Sequence, residues 1–95
     1  MCETSAGDAW QPLIGCPVVL DTKGPYIYLG TLKAVGQEAV VLTSADVHYR
    51  GDSPTTSELY LLQARKDGVR VSREQVFVMR GEVVSLSRLS DIVEY

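Results

Sequence analysis

Two residues of this chain have a spacing that could support acid–base or metal chemistry. Asp46 and His48 lie two residues apart in a predicted strand, so their side chains point to the same face of the sheet. A metal site needs three or four ligands, and only Asp52 is close enough in sequence to join them. A surface hydrogen bond between the carboxylate and the imidazole is the simpler interpretation. We therefore predict neither a metal site nor a cofactor.

The candidate nucleophiles lack the neighbours that catalysis requires. His48 is the only histidine, and no serine lies in a nucleophile-elbow sequence. Cys16, which precedes Pro17, fits a small buried residue better than a reactive thiol. Cys2 and Cys16 do not have the spacing of a disulfide framework or a zinc ribbon. The sequence therefore predicts a protein that is not an enzyme.

The dipeptide Arg80-Gly81 is the best candidate for a binding site. It separates two apolar segments and is predicted to form the tight turn between two strands. A guanidinium group is planar and always charged, so it can bind a phosphate or stack on a base. It can also pair with a carboxylate, such as that of Glu82 or one across a subunit interface. Both roles are open from the sequence.

Length and composition predict one globular domain. The chain has 95 residues, of which 45% are hydrophobic and 22% charged. No apolar run approaches the roughly 20 residues that a membrane span needs, and residues 1–11 do not resemble a secretory signal. We therefore expect a cytoplasmic protein. The net charge of −3 argues mildly against a dedicated nucleic-acid binder, although residues 65–88 carry a basic surplus of three.

The elements that must position these residues are mainly strands. Pro17 opens a short apolar strand, and a longer segment over 26–35, rich in aromatic and β-branched residues, is interrupted by Gly30. The glycine predicts a bend or bulge there. A turn at Gly36-Gln37 precedes another long strand over 39–49. Residues 1–12 are predicted to be a loose leader, with three apolar residues that dock on the core: Trp10, Leu13 and Ile14.

One helix is predicted in the middle of the chain. Thr55 and Glu58 have the spacing of a capping box, residues 56–67 are mostly good helix formers, and Gly68 stands where a C-terminal cap belongs. The apolar stripe on this helix is short, so we expect the helix to lean on the sheet. Leu59 and Leu62 share one side of it and are candidates for docking a protein partner.

Together, the hairpin bent at Gly30 and the Arg80-Gly81 turn resemble the two motifs of the Sm-like (LSm) proteins. The resemblance covers roughly half to two-thirds of the chain. It implies a mostly β fold: a small, strongly bent five-stranded Sm-like (SH3-like) barrel, with one short helix inserted over about residues 50–73. The whole chain, 1–95, would be a single Sm-like domain that forms a homo-oligomeric ring.

The resemblance also implies a site for RNA. Arg80 and Gly81 match the family's second motif, but Gly36 and Val40 stand where the family's first motif has the Asp and Asn that hold a base. The neighbouring side chains that could supply polar contacts instead are those of Gln37 and Glu38. Two hypotheses follow: an oligomeric module that binds RNA weakly or with altered specificity, or a structural or protein-interaction module that has lost RNA binding.

Overall fold

The computed structural model describes residues 8–49 and 54–93, and the side chains of 10–49 and 57–93. It contains one α-helix, five strands and three short 3₁₀ helices in the described part of the chain. The strands are β1 (Pro17–Thr22), β2 (Tyr26–Val35), β3 (Ala39–Tyr49), β4 (Arg73–Met79) and β5 (Val83–Arg88). The helices are α1 (Pro54–Asp67) and 3₁₀ turns at Asp8–Leu13, Arg80–Glu82 and Leu89–Asp91. The described helices include none long and apolar enough to span a bilayer.

The five strands form one antiparallel sheet in the order β4-β3-β2-β1-β5. The mostly β, five-stranded fold expected from the sequence is therefore confirmed. The sheet ends in two edge strands, β4 and β5, and the strand pairings of the described residues do not join these edges into a closed barrel.

The long hairpin of β2 and β3 is irregular at the position of Gly30. The pairing changes from Leu29 opposite Asp46 to Thr31 opposite Thr43, which leaves an extra residue on β3. Ser44, within this irregular stretch, has a positive φ of 49°. A bulge of this kind bends a strand and increases its twist. The bend or bulge predicted at Gly30 is confirmed.

Apolar residues are buried on both faces of the sheet. β1 shows this most clearly, because Val18, Val19 and Leu20 are all 0–1% exposed although consecutive side chains of a strand point to opposite faces. Val18 and Leu20 belong to one cluster, with Leu32, Val40 and Leu42. Val19 belongs to the other cluster, with Ile27, Leu29, Ala64 and Leu89. The first cluster is the inner core of the bent sheet; we call the second the helix-side cluster.

Helix α1 packs on the helix-side cluster. Ala64 is buried there, and Tyr60 and Leu61 are half-buried against it. The helix ends as predicted: Gly68 has φ +93°, and its N–H donates to the carbonyl of Ala64 at 2.7 Å. The helix thus lies between the third and fourth strands, as expected. The predicted capping box includes Thr55, whose side chain is outside the described residues.

Part of the segment expected to be a loose leader is regular: residues 8–13 form a 3₁₀ helix, with Pro12 in its last turn. The rest of the expected leader, residues 1–7, lies outside the described residues. Trp10 and Leu13 pack against the inner core, as predicted. The prediction for Ile14 was wrong, since its side chain is 40% exposed. The turn at residues 14–16 directs this side chain outward, with the N–H of Ile14 bonded to the carbonyl of Gln11.

Candidate functional site

The turn at Arg80 and the loop at residues 36–38 lie side by side. Ala39, the first residue of β3, pairs with Met79, the last residue of β4. The loop before β3 and the turn after β4 therefore meet at one end of the sheet. The N–H of Arg80 donates to the carbonyl of Glu38 at 2.8 Å and fixes this neighbourhood. We call the arrangement of Trp10, residues 36–38 and Arg80 the Arg80 corner.

The guanidinium of Arg80 has two neighbours in the corner. Its Nη1 donates to the carbonyl of Gly36 at 2.8 Å. Its Cζ lies 5.0 Å from the centre of the Trp10 ring, within the range of a cation–π contact. A carboxylate of Glu82 was a candidate partner in the sequence; the structure gives Arg80 a carbonyl and an aromatic ring instead. Among the described side chains, those of residues 10–49 and 57–93, no carboxylate is paired with Arg80.

The other candidates for RNA binding surround this guanidinium. The side chains of Gln37 and Glu38 are exposed in the loop. Gly81 is also exposed, and a Cβ added to it would meet no atom within 4 Å, so packing does not demand a glycine there. Val40, at the position where the family's first motif has an asparagine, is completely buried in the inner core. The loop therefore offers no side chain at positions 36 and 40 that could read a base.

Trp10 is the member of the corner that the sequence did not identify. Its docking on the core was predicted from its apolar character, but its contact with Arg80 joins two residues that are far apart in the sequence. No local pattern connects residues so far apart. The nearest signal was the presence of one tryptophan in an otherwise small and polar segment.

Asp46 and His48 share a face, as their spacing predicts, and both contact Tyr60 of α1. The Tyr60 hydroxyl donates to Asp46 Oδ2 at 2.5 Å, and the Ser72 hydroxyl donates to Oδ1 at 2.6 Å. The His48 ring stacks on the Tyr60 ring with centroids 4.0 Å apart. In the part of the chain that is described, no three potential ligands are grouped for a metal ion, and Asp52 lies outside that part. These contacts hold α1 against the sheet, and we call the four residues that make them, Asp46, His48, Tyr60 and Ser72, the bracket.

Asp46 and Tyr60 of this bracket both have shifted pKa values. Burial alone would raise the pKa of Asp46, but hydrogen bonds from Ser72, Tyr60 and the backbone of Val47, with the nearby charge of Arg70, outweigh it and lower the pKa. Burial and the ionised Asp46 carboxylate raise the pKa of Tyr60. The folded state therefore favours a charged Asp46 beside a neutral Tyr60.

Replacing Tyr60 with phenylalanine removes one hydrogen bond from this bracket and leaves the ring in place. Because the acceptor is a charged carboxylate, we expect the free energy of unfolding to fall by roughly 1.5–3 kcal/mol at neutral pH. Urea unfolding curves measure the change. Tyr49→Phe is the matched control, since Tyr49 is 55% exposed and no hydrogen bond is seen for its hydroxyl among the described residues.

The loss of stability in Tyr60→Phe should depend on pH, because folding lowers the pKa of Asp46. A carboxyl whose pKa is lowered by folding stabilises the protein above its ordinary pKa, and this stabilisation is lost as the pH falls through the folded-state value. The difference in the free energy of unfolding between wild type and Tyr60→Phe should therefore become smaller at acidic pH. A gap of the same size at neutral and acidic pH would contradict the assignment of Asp46 as the charged acceptor.

The two candidates for partner docking lie on the outer side of α1. Leu59 is 62% exposed, whereas Leu62 is half-buried. Leu62 lines a groove of about 350 Å³ together with Glu58, Leu61, Ile92 and Val93. The groove joins the predicted stripe of the helix to the carboxyl-terminal segment, which the sequence did not place beside it.

These features define a small, bent, five-stranded β domain, and comparison with known proteins agrees. No protein-family model matches the chain, and no curated protein is significantly similar to it in sequence. Among solved structures, the Pyrococcus abyssii Sm protein in complex with a uridine heptamer superposes with a TM-score of 0.59 at 16% identity, covering 88% of this chain and 97% of that one. The P. aerophilum SmAP1 heptamer gives 0.58 at 17% identity, over 92% and 96%.

A third match comes from a larger assembly. A chain of the NatC complex bound to CoA superposes with a TM-score of 0.56 at 18% identity, covering 93% of this chain and 88% of that one. At these identities the likeness concerns the fold. The chain has an Sm-like fold, with helix α1 inserted between the third and fourth strands.

Proposed function

We propose that this chain is a non-catalytic Sm-like binding module of the cytoplasm, which assembles with copies of itself and binds single-stranded RNA weakly at the Arg80 corner. The observation that carries the proposal concerns the guanidinium of Arg80: it is always charged, it is held in place at the surface, and no carboxylate among the described side chains is paired with it. The uridine complex of the structurally similar Pyrococcus protein supports RNA as the ligand.

Self-assembly is supported by the two edges of the sheet. Among the described strands, β4 and β5 each pair with one other strand, and edge strands with free backbone groups are templates for pairing with another chain. Both edges also expose large apolar side chains: Phe77 is 57% and Met79 53% exposed on β4, and Val84 is 65% exposed on β5. Joining β4 of one copy to β5 of the next would cover them. The heptameric SmAP1 structure supports a closed ring of such contacts.

Weak or altered specificity is supported by what the corner lacks. A side chain that reads a base must reach its hydrogen-bonding edge. Gly36 has no side chain, and Val40 is buried and apolar. The remaining cationic contact, from the guanidinium, suits the phosphate backbone, which every sequence shares.

Replacing Arg80 with alanine tests the RNA part of the proposal. A hydrogen bond to a charged group is worth roughly 1.5–3 kcal/mol, so we expect affinity for a labelled uridine heptamer to fall roughly ten- to hundredfold in fluorescence anisotropy. Wild-type affinity should weaken steeply between about 50 and 200 mM salt, because bound phosphates release counterions, and the variant should show a shallower slope.

The matched control is Arg73→Ala, which removes the same charge from the opposite end of β4. Arg73→Ala should retain most of the wild-type affinity. Wild-type binding that is unaffected by Arg80→Ala would contradict the placement of the site. No binding by wild type even at low salt would contradict RNA binding altogether.

The second candidate function is a protein-interaction module that keeps the fold without binding RNA. It is favoured by the exposed Leu59 and by the apolar groove that Leu62 shares with Ile92 and Val93. The similarity to a chain of the multi-protein NatC complex points the same way. The oligonucleotide titration separates the two functions, since this module predicts no binding at any salt concentration.

A further inference from the structure

Trp10 and Arg80 are in contact, and this contact does not connect two parts of the core. The indole ring lies 5.0 Å from the Arg80 Cζ, and the Gly36 carbonyl accepts from Nη1 at 2.8 Å. The guanidinium is thus held by an aromatic surface and by a hydrogen bond at one nitrogen. An arginine side chain at a surface otherwise samples many rotamers, which it loses when it binds a ligand.

The indole itself is well anchored. Trp10 is half-buried and packs against the inner core. Its 3₁₀ helix is tied to the sheet just beyond its end, where the N–H of Gly15 donates to the Leu32 carbonyl at 2.7 Å and the N–H of Leu32 donates to the Cys16 carbonyl at 3.0 Å. Displacing the indole would remove apolar surface from the core, so it acts as a platform and not as a lid.

Most of the donor capacity of Arg80 is unused among the described residues. A guanidinium has five N–H groups, and one of them donates to a described residue, Gly36. Of the side chains of residues 10–49 and 57–93, none brings a carboxylate to neutralise it. The guanidinium of Arg80 is therefore suited to bind a phosphate, because its orientation is fixed and the described residues leave most of its donors unused.

We propose that Trp10 is the positioning residue of the Arg80 corner: it holds the guanidinium so that its free N–H groups take a backbone phosphate of single-stranded nucleic acid, without selection among the bases. This inference rests on the proposed RNA-binding function and specifies how the site works. Base selection is absent because the loop presents a bare backbone at Gly36 and an inward-pointing, fully buried Val40.

The test compares labelled heptamers of uridine, adenosine and cytidine on wild type and four variants, one of which is Arg80→Ala. Trp10→Leu keeps an apolar side chain on the core but removes the aromatic surface, and Trp10→Phe restores an aromatic surface. Because a cation–π contact is worth up to about 1 kcal/mol at an exposed site, we expect Trp10→Leu to weaken binding about fivefold and Trp10→Phe to recover most of it. Tyr49→Leu, which alters an exposed aromatic residue at the far end of the β2–β3 hairpin, should bind like wild type.

A spectroscopic signal accompanies the titration. Trp10 is the only tryptophan, so its emission reports on the corner alone. Ligand bound at Arg80 should change this emission in wild type but not in Arg80→Ala. The three wild-type affinities should agree within about threefold, because a phosphate contact carries no base information.

The outcomes separate this inference from the proposed function. If Arg80→Ala abolishes binding while Trp10→Leu binds as tightly as wild type, RNA binding stands and the positioning role is overturned. A leucine variant that is weakened but not rescued by phenylalanine also overturns it, since the loss would then come from packing. A strong preference for one base overturns the claim of no selection. Absence of binding by wild type overturns both proposals.

Discussion

Replacing Phe77 with lysine should convert the assembled protein into its 10.4 kDa protomer. Phe77 projects from the middle of edge strand β4 and is 57% exposed, so its replacement removes little from the core of one copy. In an assembly that joins β4 to β5 of the next copy, however, the lysine would be placed against an apolar surface that includes Val84. Inward-facing charges on edge strands are a common means of preventing such pairing. Mass measurement by light scattering after size exclusion distinguishes the two states.

The control for this experiment is Val71→Lys. Val71 is 54% exposed, almost the same as Phe77, but lies outside the strands. It should leave the mass of the assembly unchanged. If the Phe77 variant keeps the wild-type mass, the edge is not the interface; a wild type that is already monomeric would exclude the ring and leave a lone barrel with an interaction role.

Replacing Gly30 with alanine should clearly lower the free energy of unfolding. A Cβ at this position would lie 3.0 Å from Ala45 Cβ, 3.1 Å from Ala45 Cα and 3.1 Å from the Thr43 carbonyl oxygen. Two of these three atoms belong to the backbone of β3, which cannot rotate away. Gly30 also pairs with Val18 of β1, so the strand cannot move in the other direction without disturbing that pairing. Overpacking of this kind costs about 1–3 kcal/mol.

Gly81→Ala is the matched control, because a Cβ at Gly81 would meet no atom within 4 Å. Urea unfolding midpoints should fall clearly for Gly30→Ala and stay close to wild type for Gly81→Ala. Equal stability of the two variants would show that β3 can shift at its bulge. In that case Gly30 would be replaceable, and the irregularity of the β2–β3 hairpin would have another cause.

Local patterns were sufficient to predict most of the architecture. A glycine within an apolar, β-branched segment indicated the bulge at Gly30, and glycine after a set of good helix formers indicated where α1 ends at Gly68. The turn at Arg80-Gly81 was also placed correctly, because short polar breaks between apolar segments mark turns. Each of these features depends on residues within a few positions of one another. The expectation that the two strands around it pair with each other was wrong: β4 pairs with β3 and β5 with β1, at opposite edges of the sheet.

The contacts that build the candidate site were not predictable in the same way. The stack of Trp10 on Arg80 requires that the 3₁₀ helix before β1 and the turn after β4 lie side by side. The bond from Tyr60 to Asp46 requires the position of α1 on the sheet, which depends on how two apolar surfaces fit and not on their periodicity. The prediction that Ile14 docks on the core failed for a related reason. Its apolar character favoured burial, but the backbone turn that follows residue 13 directs its side chain outward.

The strand order also has a consequence for the protein as it is synthesised. β1, buried on both faces, hydrogen-bonds to β2 on one side and to β5 on the other. β2 follows it almost at once, but β5 is the last strand to leave the ribosome. During that interval a strand whose apolar side chains on both faces belong in the core has an open edge, and contacts between segments distant in sequence form slowly. The nascent chain is therefore most prone to aggregation after β1 has emerged and before residues 83–88 have paired with it.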